Sequence, residues 1–225
     1  MTHPAATTKK GRKLSWLTRY RLNKRLKKDE KLSENDEYIF KELKPGDIAI
    51  DCGANVGKIT ELMAQSGATV HAFEPDPNAF PKLQEKCQSW NNVTLHNAAV
   101  AAEPGSMKLF YREEHHQNPV KFSVGSTLHT GKTDIDHGLY TEVEVLSFAD
   151  FVLQLDQQVR ILKMDIEGSE IVVLQDLLKK DLLDRFDLVL VETHEEWIPD
   201  TIPPLKEIKH EVQAKGYKHV FFNWI

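Results

Sequence analysis

The 225-residue chain predicts an α/β fold, one mostly parallel sheet with helices on both faces, and three observations carry that prediction. Apolar runs of strand length alternate with segments of helical period from residue 45 onward, the order of repeated β-α-β units. A glycine-bearing turn, Asp51-Cys52-Gly53-Ala54-Asn55-Val56-Gly57, separates the first such run from the first such helix. An apolar content of 40% supplies one sizeable core and requires no second full domain.

Residues 1–33 read as a basic arm and residues 34–225 as the domain proper. Residues 1–31 hold eleven Lys/Arg against Asp29 and Glu30, a charge of +9, which leaves -14 on the rest within a net charge of -5. Leu14, Trp16, Leu17, Tyr20, Leu22 and Leu26 are interleaved with those cations. Residues 9–31 therefore suit contact with an anionic membrane surface or docking onto the acidic body, with a solvated or partly helical tail as the plain alternative. Nucleic acid ranks last among these partners. No run approaches the ~20 apolar residues of a membrane span, and no apolar block marks a secretory signal, so the expected location is cytoplasmic, peripheral to the inner face of a membrane. Only Cys52 and Cys87 occur, outside any C-x-x-C pair, which disfavours a disulfide framework or a cysteine zinc site.

Within the domain, residues 34–43 read as helix and Lys44-Pro45-Gly46-Asp47 as a turn. Ile48, Ala49 and Ile50 form a strand; Ile59, Leu62 and Met63 then recur at helical spacing up to Gly67. Val70, Ala72 and Phe73 make a second strand ending in Glu74-Pro75, followed by a helix through Leu83 and Cys87 and a third strand at 93–97. Residues 105–147 break the pattern. Two alternating stretches, 107–111 and 141–146, flank a polar segment and predict an inserted β element with a mobile loop, covering a sheet edge or the mouth of a site. A helix at 148–155, a strand at 159–165, a helix at 171–178, a strand at 186–192, a helix at 205–214 and a last strand at 217–225 complete the reading.

The turn at 51–57 reads D-x-G-A-N-x-G and lacks the close glycine pair of a dinucleotide fingerprint. Asp51 offers a carboxylate to an ammonium group, and Glu74, about twenty residues on, stands where an acid accepts ribose hydroxyls. Together they favour S-adenosylmethionine over a pyrophosphate cofactor. The competing reading is a plain strand-to-helix turn with Glu74 as an ordinary solvated acid.

Lys163-Met164-Asp165-Ile166-Glu167-Gly168-Ser169-Glu170 resembles the strand-four signature of FkbM-type methyltransferases, which depend on S-adenosylmethionine. The likeness takes in the turn at 51–57, Phe73-Glu74-Pro75, Asn97-Ala98-Ala99, Gly125-Ser126-Thr127-Leu128 and Val191-Glu192-Thr193-His194, roughly residues 45–218. It implies a Rossmann-like class I methyltransferase sheet and methyl transfer to an oxygen, usually of a sugar, glycoconjugate or natural product. By position, Asp51, Gly53, Ala54, Asn55 and Gly57 would cradle the methionine portion, Glu74 with Pro75 the ribose, and Asn97 and Ala98 the adenine. Asp165 would close the site beside the sulfonium, and Ser126 offers a hydroxyl to substrate or cofactor.

Methyl transfer needs an aligned acceptor oxygen and a group to take its proton. His194, with an ordinary pKa near ~6.5, suits the base, while Asp165 and Glu167 orient the acceptor or bind a divalent cation. Against these roles, an acid after a core strand can cap the next helix, and a lone histidine there is often structural. Glu170 suits the first turn of a helix. His115, His116, His129 and His137 lack metal-ligand spacing but would make the insert pH-sensitive. One strand in place of two at the C-terminus leaves a seven-stranded sheet incomplete, with the insert as a possible supplier of the edge, and the apolar ending 220–225 suits pairing with a second subunit as a homodimer. Two other classes stay open: a non-catalytic adenosyl-ligand or membrane-binding module, and a nicotinamide-dependent oxidoreductase, disfavoured by the glycine spacing.

Overall fold

A computed structural model describes residues 13–28 and 30–225. Lys9, Lys10, Arg12 and Asp29 of the basic arm lie outside those residues. Six strands form the main sheet in the order β3-β2-β1-β7-β8-β9: β1 (Ile48–Cys52), β2 (Thr69–Phe73), β3 (Val93–His96), β7 (Val159–Met164), β8 (Val189–Val191) and β9 (Val220–Phe221). Every pairing in it is parallel. β1 and β7 are wholly buried, as mostly apolar strands covered on both faces are, and Asp51, Arg160 and Lys163 are the charged residues they carry into the core. The order reverses between β1 and β7, so the crevice for a ligand opens there, at the carboxyl ends.

One face packs against α4 (Phe148–Gln154), α5 (Glu170–Lys179) and α6 (Ile202–Ala214), through Phe148, Val152, Leu174, Leu177, Leu205 and Ile208. The other carries α1 (Trp16–Lys27), α2 (Lys58–Ala64) and α3 (Phe80–Cys87). Helices on both faces are thus as predicted. α1 begins at Ser15, whose side chain accepts the Thr18 amide, and it docks onto the domain through Leu14, Thr18 and Leu22. Of the readings open for the arm, docking onto the body therefore holds for its described part.

The insert forms a separate three-stranded sheet, β4-β6-β5, from β4 (Ala99–Ala101), β5 (Gly105–Arg112) and β6 (Ile135–Ser147). It does not complete the main sheet, which ends with six strands at β9. β4 was not foreseen, because three small residues carry no alternation. The intervening loop is hydrogen-bonded to the rest of the domain: Phe110 exchanges backbone hydrogen bonds with Thr127, Thr127 Oγ1 donates to the Glu167 carbonyl, and Lys132 Nζ donates to the Gly125 carbonyl at 2.7 Å.

Two further expectations are corrected. Residues 34–43 form turns and a short 3-10 helix, Phe40–Glu42, instead of an α-helix. Asp36 accepts the Ser33 amide and binds Arg25 at 2.6 Å, contacts that hold the backbone in turns, while Ile39, Phe40 and Leu43 reach the core. The apolar ending is consumed within the chain: Leu32 donates to the Asn223 carbonyl, Ile225 donates to Leu32, and Phe221 and Trp224 are buried. The ground for pairing it with a second subunit falls away.

Candidate functional site

At the carboxyl end of β1 the chain turns through Gly53 (φ +77°), Asn55 (φ +48°) and Gly57 (φ +85°) into α2. A side chain at Gly53 would collide with the carbonyl oxygen of Asp165, which follows the neighbouring strand β7. The glycine is needed for that approach of backbone to backbone. A Cβ at Gly57 would meet side chains and not backbone, Leu83 at 2.7 Å, Lys86 at 3.3 Å and Cys87 at 3.7 Å.

Glu74 ends β2 and is buried, with Oε2 accepting the Asn55 amide at 2.7 Å and Oε1 the Asp76 amide at 2.8 Å. Each oxygen keeps a lone pair for a further donor, such as a ribose hydroxyl. Burial pushes its pKa up to about 7, against the two amide hydrogen bonds. Asn97 does not face the ligand space: its amide nitrogen donates to the Glu74 carbonyl at 2.9 Å and so fixes that strand end. Ser126 donates to Asp76 at 3.3 Å, and Ser123 accepts the Asn55 side chain at 2.9 Å, so the insert loop is stitched to the turn.

One cavity of about 380 Å³ joins these groups. Gly53, Ala54, Asn55, Glu74 and Pro75 form one wall; Ala98, Ala99, Val100 and Leu109 form an apolar slot; Ser126 and Leu128 close it from the insert. Lys163, Asp165 and Glu167 stand at the β7 end. The insert thus covers the mouth, one of its two expected positions.

Asp51 departs from expectation. It is wholly buried and absent from the cavity walls, accepting Thr60 Oγ1 at 2.7 Å with its other oxygen 3.3 Å from Lys163 Nζ. Its ammonium partner is therefore a lysine of the chain itself. Lys163 Nζ also donates to the Gly53 carbonyl at 2.8 Å and lies 3.5 Å from Asp165. Burial opposes its charge, but Asp51 and Asp165 outweigh that and raise its pKa.

Asp165, Glu167 and His194 do converge. His194 Nε2 lies 3.5 Å from both Asp165 Oδ1 and Glu167 Oε2 and 3.9 Å from Glu192, while Nδ1 faces Glu170 at 3.3 Å in an ionic contact without good hydrogen-bond alignment. Burial opposes the imidazolium, but Glu170, Glu167 and Asp165 push its pKa up to about 9. The expected pKa near ~6.5 is thereby corrected. Near neutral pH His194 holds its proton, and it stands behind the two carboxylates, outside the cavity wall. A protonated imidazole is a poor base and a good counter-charge.

Glu167 occupies a left-handed turn (φ +54°) with Oε2 accepting Lys132 Nζ at 2.7 Å, and burial raises its pKa against the charges of His194 and Lys132. Glu192 is raised to about 7 by burial and by Asp165. Glu170 does more than suit a helix dipole: its oxygens accept the Ile166 and Gly168 amides, each at 2.7 Å, and shape the turn that presents Glu167. Asp165, Glu170 and His194 bring possible metal-ligand atoms within 4.8 Å of one another. A cation there would have to displace the His194 proton, and Lys132, Lys163 and His194 already supply positive charge to these carboxylates.

Sequence reasoning missed Lys163, Lys132 and Glu192. A usable signal existed for the first, since a lysine inside the apolar run of a central strand must find buried partners. Nothing local flagged Lys132, which meets Glu167 across 35 residues.

The profile of the Methyltransferase FkbM domain matches residues 51–218. "Methyltransferase 1" of Beauveria bassiana is 28% identical over 182 residues, 75% of this chain and 71% of that protein. "31-O-demethyl-FK506 methyltransferase FkbM" of Streptomyces tacrolimicus is 26% identical over 179 residues, 68% of each. Among solved structures, a methyltransferase from Streptococcus mutans in complex with SAH aligns at a TM-score of 0.40 and 14% identity, over 82% of this chain and 80% of that one. The family match covers most of the chain and includes both the glycine turn and the strand end that carries Asp165 and Glu167, so the chain belongs to the FkbM methyltransferase family.

Proposed function

We propose that the chain is an S-adenosylmethionine-dependent O-methyltransferase acting on a hydroxyl of a sugar, glycoconjugate or natural product. The observation that supports this best is the division of one cavity: a fixed carboxylate, Glu74, at the β2 end and two acids, Asp165 and Glu167, at the β7 end. The Streptomyces relative is named for an O-demethylated substrate, which supports oxygen as the acceptor atom. Free thiols at Cys52 and Cys87, both buried, favour a reducing, cytoplasmic compartment.

The sulfonium of the bound cofactor supplies an already activated methyl group. Glu74 accepts the ribose hydroxyls, and the apolar slot from Ala98 to Val100 takes the adenine. Asp165 would orient the acceptor hydroxyl, and Glu167 would take its proton as the methyl–oxygen bond forms and the methyl–sulfur bond breaks, leaving S-adenosylhomocysteine. Lys132 holds the other Glu167 oxygen, and His194 stabilises the carboxylate pair as a cation. Placing the base role on Glu167 follows from its raised pKa and its place on the cavity wall.

Calorimetry with S-adenosylmethionine, S-adenosylhomocysteine and NAD tests the cofactor, and labelled-methyl transfer to a panel of hydroxylated acceptors, with and without a chelator, tests the reaction. Binding of both adenosyl ligands, no binding of NAD and transfer insensitive to chelator are expected. Failure to bind S-adenosylmethionine would overturn the proposal. Transfer to amines in preference to hydroxyls would remove its O-directed part.

A further inference from the structure

The acidic body and the basic arm meet along α1, but α1 uses only one of its faces there. Leu14, Thr18 and Leu22 are buried, Arg25 binds Asp36, and the Arg21 guanidinium lies 5.0 Å over the Tyr38 ring. On the opposite face Trp16 and Tyr20 are 71% and 53% exposed, with their rings stacked at 5.6 Å. Lys27 falls on the same stripe by helical period, with Arg19 and Lys24 flanking it and Leu17 and Leu26 exposed beside them. No acidic residue occurs between Trp16 and Lys28.

We propose that this outward face of α1 binds the surface of an anionic phospholipid membrane. Tryptophan and tyrosine favour the boundary of headgroup and acyl chain, where an apolar ring and a polar edge are both satisfied, and leucines beside them add buried area. The lysines and arginines pair with anionic headgroups, each contributing about 1 kcal/mol near such a surface. Nucleic acid would use the cations and rings but leaves the exposed leucines without a role. The charge division also fixes an orientation: residues 32–225 carry -14, so an anionic surface attracts the arm and repels the remainder. Leu32, past the end of α1, pairs with Trp224, and Glu34 and Trp224 both border the cavity, so the segment that follows the helix reaches the cavity rim.

The full-length protein should be sedimented with vesicles of phosphatidylcholine alone and of phosphatidylcholine with phosphatidylserine, at low and high salt. Binding to the anionic vesicles that weakens with salt, and little binding to the neutral ones, is expected. Trp16→Ser with Tyr20→Ser, and separately Lys24→Glu with Lys27→Glu, should each weaken anionic binding at least about tenfold while leaving thermal unfolding and cofactor affinity unchanged, since these positions are exposed. Equal binding to both vesicles, unchanged binding by the two double variants, or capture by single-stranded RNA in preference to vesicles would overturn the proposal. These readouts involve no methyl transfer, so they stand apart from the enzymatic reading.

Discussion

The two ends of the cavity hold their acids by different means. At the β2 end, Glu74 is fixed by amides of its own neighbourhood, Asn55 and Asp76, and by Asn97 gripping its carbonyl. At the β7 end, Asp165, Glu167 and Glu192 are balanced by charged side chains, His194, Lys132 and Lys163. Backbone donors do not titrate and scarcely move, so the first end is a rigid receptor. Side-chain cations set the second end's proton affinities, which suits a place where a proton must change hands. A binding half and a reacting half are thus distinguishable by what holds their carboxylates.

The sharpest way to break this comparison is at the point where the two halves touch. Gly53→Ala would push a methyl group into the Asp165 carbonyl at a positive φ, so unfolding by denaturant should show a loss of about 3 kcal/mol or more. Gly57→Ala, also at a positive φ but meeting side chains of Leu83, Lys86 and Cys87 in place of backbone, should cost clearly less. Equal losses at the two positions would mean that the backbone contact between β1 and β7 is not what joins the halves.

The reacting half should reveal itself through pH. The His194 pKa in the folded protein, about 9, exceeds its ordinary 6.5, so its stabilisation is complete below pH 6.5 and is lost as pH rises through 9. The difference corresponds to about 3 kcal/mol between those limits. Glu74 and Glu192, raised to about 7, act mainly at lower pH, from their ordinary 4.5 up to 7. Stability measured from pH 7 to 9 should therefore fall in the parent protein and fall less steeply in His194→Asn. A parallel slope in both would show that the imidazolium is not what balances the cluster.

Division of roles predicts a separation of constants as well. Glu167→Gln keeps shape but cannot take a proton, and turnover should drop about 100-fold or more while the Kd for S-adenosylmethionine stays within about twofold. A matching loss in both constants would erase the distinction between the halves and return Glu167 to a structural role in its turn.

How much was legible in the sequence follows the same boundary. The binding half is local: a strand, a glycine turn, a helix and an acid at the next strand end are patterns within thirty or so residues, and periodicity exposes them. Even there, the partners of Asp51 and Asn97 could not be read, because both side chains turn inward to Thr60 and to the Glu74 carbonyl. In the reacting half, Asp165, Glu167 and His194 were visible as polar strand ends, but the protonation of His194 depends on four carboxylates brought together from two strand ends and the first turn of α5. The failed helix at 34–43 has a similar cause, since contacts with Arg25 and the core override local propensity.

The smallest effect belongs to the rigid end and tests whether its carboxylate acts as a charged acceptor. With a pKa of about 7 before ligand binds, Glu74 is mostly protonated at pH 6 and mostly ionised at pH 8. Ribose hydroxyls donate more strongly to the ionised form, so affinity for S-adenosylmethionine should rise about tenfold across that interval. Glu74→Gln preserves shape without ionising, at the cost of turning an NH2 toward one of the two backbone amides; it should bind more weakly at pH 8 and show little dependence on pH. Calorimetry on both proteins at the two pH values decides the matter. If the variant keeps the parent's slope, the titrating group lies elsewhere, and the charged cluster around His194 would then reach across the cavity to govern cofactor binding too.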